Sequence, residues 1–86
     1  MSAREEFERR FLKYADRYVL SPSSYQTHDG EGNAGGWIAR VTVIENSSGE
    51  KSAAYLYSDT SRRYASEDES DFAAMWLGLQ WLDENA

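Results

Sequence analysis

The chain has 86 residues, no cysteine and a formal net charge of −6. Its length fits one domain, residues 1–86, with a modest core. Without cysteine there are neither disulfides nor thiolate metal sites, and no apolar run is long enough to span a bilayer. The opening MSAREEFERRF is charged and lacks an apolar signal core, so the expected compartment is the cytoplasm. Residues 1–65 hold nine basic and nine acidic side chains, and residues 66–86 hold six acids with no Lys or Arg. The acidic excess therefore lies wholly in the C-terminal segment. Nucleic-acid affinity comes largely from Lys and Arg meeting phosphates. This chain has no strong basic stripe, so a nucleic-acid partner is disfavoured.

The first predicted element is a helix over Ala3 to Tyr18. Phe7, Phe11, Tyr14 and Tyr18 recur at spacings of three and four, which places them on one stripe. Acids nearly balance bases on the remaining surface. That fits an amphipathic helix on a core rather than a membrane-surface helix, which needs a basic polar face. YVLSPSSYQTH follows as a strand. Pro22 lacks an amide hydrogen, so it makes this strand an edge or breaks it in two. DGEGNAGG holds four glycines in eight residues and reads as a loop.

GWIARVTVIE is the clearest strand. Trp37, Ala39, Val41 and Val43 alternate with Ile38, Arg40, Thr42 and Ile44. NSSGE is a hairpin connection in which Gly49 can take a positive φ. KSAAYLYSD returns antiparallel, and TSRRYA is a linker or a short further strand. Ser66 opens the last helix: with Glu69 it has the spacing of a capping box. Glu67, Asp68, Glu69 and Asp71 then sit where the helix dipole favours negative charge. Helix initiation accounts for these acids, and an acidic docking patch is the alternative. The expected fold is α+β in the order α-β-β-β-α, a three-stranded antiparallel sheet with both helices packed on one face.

At about 100° per residue, Phe72, Met75, Trp76, Leu79 and Leu82 share one broad face of the last helix. Ala74, Leu77 and Trp81 lie nearly opposite, flanked by Ala73 and Gly78. A helix apolar all round is buried on more than one side. The expectation is that the Trp76 face covers the sheet. Ala74, Leu77, Gly78 and Trp81 then meet either the first helix or a partner chain, with the partner favoured.

Two resemblances are carried by these segments. The element order resembles that of the double-stranded-RNA-binding domain in topology alone. That family meets phosphates with a lysine-rich start to its second helix, where this chain has SEDESD, so the RNA activity does not follow. From Trp37 to Asp83, WIARVTV, the turn at Gly49, YAS and a helix ending GLQWLD resemble small uncharacterised bacterial proteins with a three-stranded sheet and a closing helix. Tyr64 and Ser70 stand where that pattern has Phe and Ala, and the long first helix is additional. The resemblance implies no activity.

Catalytic chemistry finds little footing. His28 is the lone histidine and borders the glycine loop, and no G-x-S-x-G elbow is present. Asp29, Glu31 and Asn33 offer oxygens in HDGEGN without the register of a calcium loop. The glycines do not follow a dinucleotide pattern. No catalytic residue, metal ligand or cofactor is assigned. Arg40, Tyr55, Tyr57, Arg62 and Arg63 form a possible sheet-face site, since aromatics and arginines together can stack and neutralise a single strand. Cross-strand packing is the plainer account of them. Twelve aromatic residues are many for so small a core, and exposed apolar patches mark interfaces. The leading expectation is a non-enzymatic protein-interaction module, a homodimer or a small subunit of a larger assembly. The alternative is a nucleic-acid-directed protein, either a sheet-face binder or an acidic mimic that blocks a basic partner.

Overall fold

α1 (Ala3–Phe11) starts where Ser2 Oγ accepts the Glu5 amide, and carries Glu5 and Glu6 in its first turn and Arg9 and Arg10 in its last. Charge and helix dipole agree at both ends. The computed structural model describes residues 2–46 and 53–86. After α1 come β1 (Tyr18–Pro22), β2 (Tyr25–His28), β3 (Ala34–Glu45), β4 (Ala53–Tyr64) and α2 (Glu67–Asn85). The fold is α+β with both helices on one face of an antiparallel sheet, and it has a fourth strand beyond the three expected.

The extra strand comes from Pro22. β1 pairs with the second half of β3 and β2 with the first half, both antiparallel. β4 runs along the other side of β3. One predicted strand is thus cut into two collinear edge pieces, and the Ser23 amide bridges the cut by donating to Arg40 O. α1 is shorter than predicted. Its aromatic stripe continues past Phe11, with ring centroids 5.7 Å apart for Phe7–Phe11, 6.4 Å for Phe11–Tyr14 and 6.2 Å for Tyr14–Tyr18. The backbone from Leu12 to Arg17 is a run of turns, and Tyr18 already pairs with Glu45. Strand pairing overrides the helical period at this end.

β3 also begins earlier than the glycine content suggests. The loop narrows to Asp29–Asn33, where Gly32 has φ +83° and Asp29 Oδ1 accepts the amides of Glu31 and Asn33. Gly35 and Gly36 are strand residues. A Cβ on Gly36 would stand 2.7 Å from Arg63 Cβ, and one on Gly35 would clash with Thr27 Oγ1. These glycines serve close strand approach rather than a turn. TSRRYA is neither linker nor separate strand but the end of β4. The ladder passes from Ala39↔Asp59 to Trp37↔Tyr64 across a bulge. The Gly49 turn lies outside the described residues.

α2 begins at Ser66, whose Oγ accepts the Glu69 amide. One core joins Phe7 and Tyr14, Leu20 of β1, Ala39, Val41 and Val43 of β3, and Ala74, Leu79 and Leu82 of α2. The molecule is 18 Å through its thinnest axis. That is one sheet and one helix layer; among the described residues no helix lies over the second sheet face, where Ile38, opposite Tyr25, is nevertheless buried.

Candidate functional site

The seam between α2 and the sheet is made of small residues. Ser70, Ala74 and Gly78 recur every fourth position and are fully or almost fully buried. A Cβ on Gly78 would lie 2.8 Å from Leu20 Cδ2 and 3.3 Å from Val41 Cγ2, which places this ridge directly on β1 and β3. The expected partner interface of Ala74, Leu77, Gly78 and Trp81 is therefore corrected at Ala74 and Gly78. Ala74 and Gly78 meet the chain's own sheet, and Trp81 packs on Tyr55 of β4 with ring centroids 4.7 Å apart. Leu77 is half-buried beside an open groove of about 500 Å³ that Arg62, Tyr64 and Gln80 also line. Trp76 changes place too. It meets α1, edge-on to Phe7 at 5.5 Å, with the Arg10 guanidinium over its ring. The two tryptophans do make two separate contacts, with their assignments exchanged.

Asp83 ties α1 to α2. Tyr14 Oη donates to its Oδ1 at 2.6 Å, Arg10 Nη2 donates to its Oδ2 at 2.9 Å, and Lys13 Nζ is 3.6 Å away. The Tyr14 hydrogen bond first, then Arg10 and Lys13, hold the Asp83 carboxyl below the usual carboxylate range. The same hydrogen bond, helped by burial, raises Tyr14 above the ordinary phenol. Both shifts lead away from neutrality, the opposite of what a general acid or base requires. Sequence reading missed this cluster, although Tyr14 on the apolar stripe and the W-L-D end of the last helix were both visible.

The acidic helix start is divided. Glu67, Asp68 and Glu69 are exposed, whereas Asp71 Oδ1 accepts the Ser24 amide and closes the break between β1 and β2. In the glycine loop the Asp29 carboxylate is occupied by the amides of Asn33 and Glu31, which lower its pKa. It staples the loop shut. His28 is exposed at the end of β2.

The arginine–tyrosine constellation is split between the two faces of the sheet. Tyr55 and Tyr57 oppose Val43 and Val41 and so point to the helix side. Arg40 points to the open side, where its Nε donates to Ser23 O and Oγ and its guanidinium lies 4.9 Å from the Tyr25 ring centre. Arg63 Nη1 donates to Thr60 O within the bulge, and Arg62 lies over Tyr64. These five residues do not form one stacking surface.

No protein-family model, curated protein or solved structure matches the chain.

The open sheet face remains. In an antiparallel ladder, directly opposed residues share a face. Ile44 therefore stands with Val19 and Ala54, Thr42 with Ser21 and Leu56, and Arg40 with Ser58. Leu56 is 65% exposed and Val19 43%. Among the described residues, these outward ladder positions hold no acid, and Arg40 is their lone charge. A one-sided antiparallel sheet normally presents polar side chains to water. This one presents a row of Val, Ile and Ala beside an exposed Leu. The signal was present in the sequence, because Thr42 and Ile44 occupy alternate positions of the clearest strand; Ile38, further along the same face, is buried.

Proposed function

We propose that the protein is a non-enzymatic protein-interaction module, working as a homodimer or as a small subunit of a larger assembly, and that its docking surface is the open face of the sheet. The observation that supports this is the uncharged, apolar outward row Val19–Ile44–Ala54 beside Leu56, with no helix over it. Apolar surface left in water without a covering layer is the usual mark of a protein contact. The electrostatics of the Tyr14–Asp83 pair argue in the same direction, since that pair holds the turns after α1 onto α2 and neither group is shifted toward neutrality.

Site-specific photo-crosslinking in native cells tests the reading. A photoreactive residue at position 56 should give one discrete protein adduct, lost when Val19→Glu is added. The same probe at Leu12, 70% exposed on the other side of the molecule, should give none. Equal adducts from both positions, or none from position 56, would overturn the proposal.

A further inference from the structure

We infer that the occupant of the open sheet face is a second copy of this chain, packed face to face about a two-fold axis; this rests on the docking-face reading above.

Charge supports self-association at this place. Each copy carries −6, so two copies approach against their mutual repulsion over most of their surfaces. Among the described residues, the acids lie on α1, at Asp16 in the turns after it, on both ends of α2, in the Asp29 loop and at Asp59 and Glu45, which is paired with Tyr18 on the helix side. The outward row of β1, β3 and β4 holds none of them. Arg40, the one charge there, is already engaged by Ser23 and stacked on Tyr25. Two copies of an acidic chain can thus meet on this face without placing carboxylates against one another.

Area and edge geometry agree. β3 has 12 residues, so the face is about 40 Å long and, at three strands, about 14 Å wide. Two such faces bury roughly 1,100 Å², just above the ~1,000 Å² that a specific interface needs. Pairing through a free edge, of β1–β2 or of β4, is the other way to join two sheets; at the β1–β2 edge Pro22 has no amide to donate and the strand is broken before Tyr25. The β4 edge is blocked differently. There the bulge between Asp59 and Tyr64 interrupts the ladder, and the Asp59 carboxylate and Arg63 guanidinium close it on Ser61 and Thr60. A bulged, charged edge resists strand addition. The face is left, and a two-fold face contact closes on itself instead of propagating. Two sheets joined in this way pack about 10 Å apart with strands near −30°.

Sedimentation equilibrium of the full chain decides the matter. Wild type should be a dimer at micromolar to millimolar concentration, tighter at high salt because the repulsion between copies is screened. Leu56→Glu and Val19→Glu alter exposed side chains and should leave the circular dichroism unchanged. Each should weaken the dimer at least ~100-fold, since symmetry places the new charge twice in one contact. A wild-type monomer at ~1 mM, a dissociation free energy below ~4 kcal/mol, would overturn the second copy while the crosslink from position 56 still judged the face. A dimer indifferent to both Glu variants would overturn the face as well.

Discussion

Gly78→Ala is the most direct probe of how α2 sits on the sheet. In an exposed helix interior this change stabilises by ~1 kcal/mol, because alanine restricts the unfolded backbone. Here the new Cβ would lie 2.8 Å from Leu20 Cδ2, 3.2 Å from Leu20 Cδ1 and 3.3 Å from Val41 Cγ2. Carbon atoms prefer ~3.5–4.0 Å. Val41 is fully buried in the central strand and cannot withdraw, and Leu20 is itself buried opposite Val43. Either Leu20 leaves its rotamer or α2 lifts from the ridge, at a typical overpacking cost of ~1–3 kcal/mol. The net expectation is a loss of ~1 kcal/mol. In a domain of this size that lowers Tm by roughly 4–8 °C. Thermal melts of wild type, Gly78→Ala, Leu20→Ala and the double variant form the assay. The double variant should lose less than the two single losses combined, because a shortened Leu20 makes room for the new methyl. A Gly78→Ala protein that melts higher than wild type would show that this ridge does not touch β1 and β3.

Ser70 is fully buried and its Oγ has no hydrogen-bond partner, so Ser70→Ala removes an unsatisfied hydroxyl and should raise stability by ~1 kcal/mol; a lower Tm in chemical or thermal denaturation would mean that the hydroxyl is satisfied. The tie between α1 and α2 should loosen at both ends of the pH scale. Asp83 is lowered by Tyr14 and Arg10, so its contribution is present above about pH 4 and is lost as pH falls through the depressed value. Tyr14 is raised by Asp83 and by burial, so its contribution is present below about pH 10 and is lost as pH rises through the elevated value. Asp83→Asn should flatten the acid limb of a Tm-against-pH curve, and an unchanged acid limb would exclude Asp83 as its source.

Most of the elements were readable because each carries a local cause. Ser66 with Glu69, the alternation through β3 and the missing amide of Pro22 all act within a few residues of themselves. The errors lie where a tertiary contact outweighs a local pattern. The aromatic stripe from Phe7 to Tyr18 keeps its spatial order while the helix stops at Phe11, since Tyr18 is taken into the ladder by Glu45. Gly35 and Gly36 look like turn residues, but neighbouring chains come too close to them for a side chain.

Ala74 and Gly78 were expected at a partner contact for a related reason. α2 is apolar around nearly all of its circumference, so apolar content could not choose which side meets the sheet. Assigning the bulkier Trp76 face to the core treats burial as a matter of side-chain size. Packing a helix onto a sheet is a matter of distance, and the closest approach belongs to the smallest residues, here Ser70, Ala74 and Gly78. Trp81 then flanks the seam over Tyr55, and Trp76 is left for α1. Once α2 uses its small ridge on the sheet and α1 covers Trp76, both helices have found their layer. The exposed apolar surface that remains is on the sheet, at Val19 and Leu56 beside Ile44. The alternation that identifies β3 as a strand contains this information only when its second set of positions is examined: Arg40 is the single charge among Ile38, Arg40, Thr42 and Ile44, and the Ile44 end of the row is apolar.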